Sequence, residues 1–172
     1  EQVLSIEEDG EDLITSTSET IYRSRWVIST LPPNLFVKSI RISPELPPDL
    51  VKTARNTHTW MGESIKIGLS YQHPFWKEKG TSGTVFSNSA PVPEMYDHSN
   101  FEQSTFALKG FLNGALQSLN KQDRIKAILT QLKNYYGTQV EDYLDYQELL
   151  WMNERFTYSP YTEQLFPHQN NG

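Results

Sequence analysis

W-M-G-E-S-I-K-I-G-L-S-Y-Q-H-P-F-W, residues Trp60 to Trp76, is the stretch on which the reading of this chain turns. Its middle alternates: Ile65, Ile67, Leu69 and Tyr71 fall on one face of a strand, and Ser64, Lys66, Gly68 and Ser70 on the other. The first face is apolar. The second is a row of small residues from which one lysine stands up, so whatever approaches it meets Lys66 with little to shield it. On pattern alone two readings stand: a lysine that serves a ligand, or the wet side of a half-buried strand, which antiparallel sheets commonly show.

The 172 residues suffice for one domain with a real core, or for one domain with a fragment of another. Hydrophobic residues make up 37% of the chain and charged residues 21%, a globular balance, and no apolar run approaches the roughly 20 residues of a membrane helix. The net charge of -6, with 15 basic residues scattered among 21 acidic ones, opposes a nucleic-acid surface, which needs a clustered positive field. There is no cysteine, so disulfides, thiolate metal sites and a cysteine nucleophile are excluded together. The histidines, His58, His73, His98 and His168, are isolated, and no pair has the spacing of a helical metal site, so no metal is expected. The chain opens Glu1-Gln2-Val3 without an initiator methionine or a leader pattern, which suggests a piece of something longer. The expected location is cytoplasmic.

In chain order, Val3 to Ile6, Leu13 to Thr15 and Ile21 to Ser29 read as three short strands separated by turn-forming polar stretches, an antiparallel meander. Leu31-Pro32-Pro33 stops the third strand, because proline lacks the amide donor of a ladder. Asp49 to Asn56 reads as a short helix with proline in its first turn, and the organising strand follows, ended by Pro74-Phe75-Trp76. Gly80 to Gly83 is a turn, and Thr84 to Ser87, Glu94 to Tyr96 and Thr105 to Leu112 are further strands. Lys121 to Tyr136 is the clearest helix: Asn120 caps it, Ile125, Ile128, Leu129, Leu132 and Tyr136 form its apolar stripe, and Gly137 ends it. Tyr143 to Trp151 reads as a last strand before an irregular aromatic tail.

Three pieces in order carry a resemblance. V-I-S-T-L-P-P-N-L (Val27 to Leu35) with I-R-I-S-P-E-L-P-P (Ile40 to Pro48), M-G-E-S-I-K (Met61 to Lys66) with Y-Q-H-P-F-W-K (Tyr71 to Lys77), and L-L-W-M-N-E-R-F with Ser159-Pro160-Tyr161 are similar to the flavin-containing amine oxidase family. That family pairs an FAD-binding dinucleotide domain with a substrate domain built on an antiparallel sheet. The resemblance covers the middle and later parts of such an enzyme, and no G-x-G-x-x-G follows a strand here. It implies that Val3 lies near the adenine, that Lys66 hydrogen-bonds a water beside the reactive flavin nitrogen, that Trp151 sits near the flavin, and that Tyr161 flanks the substrate amine. Some members bond the flavin to a cysteine just before that tyrosine; Pro160 stands there, implying non-covalent FAD.

The expectation is therefore an α+β chain: an antiparallel sheet with one long packed helix and one short helix, preceded by a three-stranded meander. Residues 1–43 would adjoin the flavin domain, and 44–172 would form the substrate-domain portion. The intact protein would oxidise an amine or amino acid to an imine, with peroxide formed. Its partners would be a small-molecule amine and the FAD-binding remainder of its own chain. The piece alone would retain no FAD, would be inactive, and would self-associate through the surfaces the cut exposes. Two alternatives stay open: a stand-alone binding or assembly module, and a relative that uses the scaffold as a desaturase or protoporphyrinogen oxidase.

Overall fold

The computed structural model describes residues 1–57, 63–78, 80–88 and 91–160. They pack as two units, one formed by 1–57 with 152–160 and the other by 63–151.

The first unit is a four-stranded sheet in the order β3-β2-β1-β4. Strands β1 (Val3–Asp9) and β2 (Asp12–Thr17) form a hairpin turned at Gly10, whose φ of 66° suits glycine. β3 (Ile21–Ser24) continues the meander, and Arg23 reaches back to Asp12 at 2.9 Å and to Asp9. The third strand ends at Ser24, five residues short of the Ser29 expected. Ser24 pairs with Leu13, β2 begins at Asp12, and beyond Arg25 the chain has no ladder partner left in the hairpin. Trp26 and Ile28 are consequently 85% and 89% exposed. Pro33 then starts a helix, α1 (Pro33–Ser39), because proline in the first turn lacks only an amide that would be unbonded anyway. α1 returns the chain to β4 (Arg41–Ser43), which runs parallel to β1 and makes the sheet mixed. α2 (Pro48–Arg55) follows, with proline again in its first turn.

The second unit is an antiparallel sheet in the order β6-β7-β8-β5-β9, made of β5 (Ile65–Tyr71), β6 (Val85–Phe86), β7 (Glu94–Asp97), β8 (Phe106–Leu112) and β9 (Asp145–Leu150). β5 alternates as its sequence dictates, and Ile65, Ile67, Leu69 and Tyr71 are all at most 4% exposed. They share a core with Leu108, Leu112 and Met95 from the sheet and Phe75 and Trp76 from the helical turn α3 (Phe75–Glu78). The helix α4 (Lys121–Tyr136) lays Ile128, Leu132 and Tyr136 on this core. Its first turn is capped by Asn120, whose side-chain oxygen accepts from the Asp123 amide at 2.9 Å, and Gly137 closes it at φ 83°. The Gln131 side chain holds the loop before β7 by accepting from the Val92 amide at 2.6 Å and donating to the Val92 carbonyl at 3.0 Å.

Candidate active site

Strand parity builds the face of the second sheet that lies opposite its core. Lys66 lies between Phe111 of β8 and Leu149 of β9, Gly68 between Lys109 and Gln147, and Ser70 between Ala107 and Asp145. Lys66 is exposed, with apolar neighbours on both sides. A Cβ placed on Gly68 would meet nothing within 4 Å, so the space above the sheet at that step is open. A flat ring or a small polar molecule can approach the backbone there. On β7, beyond Phe111 and Lys109, the Tyr96 hydroxyl donates to Glu94 Oε2 at 2.9 Å, a bond that raises the Tyr96 pKa, and the Tyr96 ring meets Phe86 edge-on at 5.7 Å.

Trp151 stands at the same end of the sheet as Lys66. Leu150 pairs with Ile65, and one step on, the Trp151 amide donates to the Ser64 carbonyl at 3.3 Å. Its indole N–H is buried and has no hydrogen-bond partner among the described residues. An unanswered buried donor costs about 1–3 kcal/mol, so the position suits a polar partner supplied from outside these residues.

The core side of β9 is held by a buried ion pair. Arg124 donates to Glu148 through Nη2 at 2.6 Å and Nε at 3.0 Å, and its Nη1 donates to the carbonyl of Leu119. Both side chains are under 10% exposed. The Tyr146 hydroxyl also donates to Glu148, at 2.8 Å, and Lys121 lies over the Tyr146 ring at 5.4 Å. Hydrogen bonding from Arg124, against the opposing effect of burial, holds the Glu148 carboxyl below the usual glutamate range. Burial, reinforced by Glu148, pushes the Tyr146 hydroxyl up, so it stays a donor at every ordinary pH.

Of the residues singled out in the sequence, the structure brings Lys66 and Trp151 to one end of the β5–β9 ladder. Val3 belongs to the other unit, where it opens β1 and lines a cavity of about 220 Å3 with Gln2, Leu31, Ile40 and Phe156. A larger open groove beside β4, α1 and α2, of about 680 Å3, is lined by none of the described candidates. Tyr161 lies outside the described residues, and Pro160, its neighbour, is exposed. Sequence reasoning passed over Lys109 and the Arg124–Glu148 pair. The alternation in F-A-L-K-G-F-L puts Lys109 on the same parity as Ala107 and Phe111, but only the β5–β8 register puts it beside Gly68.

Residues 1–170 match the family described as flavin containing amine oxidoreductase. Flavin-containing amine oxidase B of Sus scrofa is 28% identical over 173 residues, covering 96% of this chain and 33% of that relative. Putrescine oxidase of Kocuria rosea is 32% identical over 143 residues, covering 81% of this chain and 29% of the relative. Among solved structures, wild-type putrescine oxidase bound to putrescine superposes with a TM-score of 0.79 at 30% identity, covering 92% of this chain and 36% of that one. Cyclohexylamine oxidase of Brevibacterium oxydans shares the fold, with a TM-score of 0.75 at 22% identity over 90% of this chain and 35% of that one. The chain spans about a third of the length of the relatives it matches. With its matched residues running almost from end to end, the chain belongs to the flavin-containing amine oxidoreductase family.

Proposed function

We propose that this chain supplies the substrate domain, residues 44–172, and the adjoining meander, residues 1–43, of an FAD-dependent amine oxidase. The reaction is oxidation of a carbon–nitrogen bond of an amine: two electrons and a proton leave as a formal hydride, the second proton leaves the nitrogen, and the imine hydrolyses. Oxygen takes up the two electrons and the two protons and is released as hydrogen peroxide. The observation that carries this reading is the open sheet face on which Lys66 stands one register step from the open space over Gly68.

The residues present fit a flavin on that face. The unanswered indole N–H of Trp151 can donate to a polar edge of the ring system, and Gly68 leaves room for a planar group to lie close. The flavin, when bound, supplies the acceptor for the hydride. The work of this chain is to orient and to hold water: the Lys66 ammonium offers three donors at the end of a flexible stem and can fix a water molecule beside the ring. Val3 and its cavity would take the adenine end, and Tyr161 would flank the amine. Pro160 offers no nucleophile, so the flavin is held non-covalently there.

Lys66→Met tests the assignment in the flavin-loaded protein that contains this chain. Methionine keeps much of the stem's length and apolar bulk and removes the charge. Reoxidation of the reduced flavin by oxygen is expected to slow more than tenfold, about 1.4 kcal/mol of barrier, and reduction by the amine to change less. Stopped-flow measurement of the two half-reactions decides it, and an unchanged oxidative rate in a well-folded variant returns Lys66 to the wet side of an ordinary strand.

A further inference from the structure

We propose that Lys109 is a recognition cation, and that the amine accepted by this chain also carries a carboxylate. The inference rests on the reading that the open sheet face looks on to the substrate. It assigns a second group on that face and a chemical class to the molecule bound there.

Lys109 is carried by β8, an interior strand flanked by β7 and β5, and is half-buried. Lysines that blunt a sheet against aggregation stand on edge strands, where unpaired backbone needs protecting, and Lys109 has no such task. Its direct neighbours across the two ladders are Gly68, which has no side chain, and Tyr96, whose hydroxyl is already bonded to Glu94. Neither can neutralise an ammonium. Lys66 pairs with Phe111, two residues along β8 from Lys109, so the two lysines are diagonal neighbours on one face, about 7–8 Å apart. Like charges so placed disfavour each other.

Acidic residues outnumber basic ones by 21 to 15 in this chain, so carboxylates to pair with are not scarce. Lys77 has Asp97 at 3.0 Å and Lys133 has Glu141 at 2.7 Å. Lys66 and Lys109 have no ion pair or hydrogen bond among the described residues. On the same face Glu94 accepts from the Tyr96 hydroxyl and Asp145 from the Gln147 amide at 2.6 Å; these neutral donors leave both carboxylates charged, but neither forms an ion pair with Lys66 or Lys109 among the described residues. Two ammonium groups without an ion pair among the described residues, carried on one face beside the open space over Gly68 with Phe111 opposite Lys66, form a place for an anion, to which an ammonium donates a charge-assisted bond. A carboxylate of the substrate, held at Lys109, would leave its amine to be presented toward the Lys66 end of the face.

Three probes of one length separate the possibilities: 5-aminopentanoate, its amide, and 1,5-diaminopentane. In the flavin-loaded protein, kcat/KM for the acid is expected to exceed that for the amide at least tenfold. Lys109→Met should collapse that ratio and Lys109→Arg should restore most of it, with circular dichroism melts confirming that both variants fold. A preference for the diamine would overturn the proposal and assign the face to Glu94. An acid-to-amide ratio unchanged in Lys109→Met would overturn it too. Anion binding is read without turnover by titrating pentanoate into protein with 13C-methylated lysines. A saturable shift of the Lys109 signal, absent with pentanamide, is expected, and its absence would overturn the proposal. Should none of the three amines yield peroxide while the Lys109 signal still responds to pentanoate, the oxidase reading fails and the carboxylate site stands.

Discussion

Two faces of one sheet, a single residue apart along β5, obey different rules. Ile65 and Leu69 are 0% exposed and locked among Leu108, Ile128 and Leu132, whereas Lys66 is exposed and Gly68 has open space over it. The inner face is fixed by the need to exclude water and fill volume, so every side chain there answers to its neighbours. The outer face is under no such demand. It carries two lysines without an ion pair among the described residues, a glycine step and an indole N–H without a partner there, which is what the proposed ligand would answer to.

The largest effect that tests this contrast is expected at the buried ion pair behind β9. Arg124→Met leaves the Glu148 carboxylate buried without its partner, which costs about 3–5 kcal/mol. Removing the whole polar set, Arg124→Met with Glu148→Leu and Tyr146→Phe, should recover more than half of that, since packed apolar groups replace buried ion pairs at little or no net cost. Urea unfolding followed by circular dichroism checks both. Because the Glu148 pKa is depressed on folding, its contribution is present above the ordinary glutamate range and fades as pH falls through the folded value. The gap between wild type and Arg124→Met should therefore narrow as pH falls through the carboxylate range. A gap that widens with acid would show that the pair is not ionised in the folded chain.

How much of this was legible beforehand varies with the range of the interactions involved. α4 and β5 could be read because their apolar residues recur at 3.6 and at 2, and because Asn120 and Gly137 mark the ends of the helix. α1 was missed because Pro32-Pro33 says that a strand stops, and says nothing of what the second proline can start. The parallel pairing of β4 with β1 joins residues more than thirty positions apart, such as Ser5 and Arg41, and leaves no local trace. In the candidate site, the lysine of β5 stood out because its own strand is so regular. The approach of Lys109 to Gly68, the Ser64–Trp151 hydrogen bond and the Arg124–Glu148 pair are facts of register, fixed by the whole sheet and by no single stretch.

An intermediate effect belongs to the glycine of the inner face. Gly110 pairs with Ile67 on one side and Met95 on the other, and a Cβ there would lie 2.5 Å from the Glu94 carbonyl oxygen and 3.0 Å from the Met95 sulfur. The methionine can turn aside, but the carbonyl belongs to the backbone of the neighbouring strand and cannot yield without disturbing the ladder. Gly110→Ala is expected to destabilise by about 1–3 kcal/mol, seen as a lower urea midpoint with an unchanged slope.

Gly68→Ala is the smallest change and the sharpest test, because it puts the same methyl group on the opposite face two residues from Lys66. No atom lies within 4 Å of the new Cβ, and the Gly68 backbone is not in the left-handed region, so the folded state accepts alanine without strain. The unfolded chain meanwhile loses freedom, which favours folding by about 0.4–1 kcal/mol. The variant should therefore melt slightly higher than wild type. Its activity should move the other way: the methyl group occupies the open space beside Lys109 and Lys66, so in the flavin-loaded protein kcat/KM should fall even as the melting point rises. Opposite signs for stability and activity at one residue are what a face kept open for a ligand demands, and a Gly68→Ala protein that is both more stable and fully active would show that nothing needs that space.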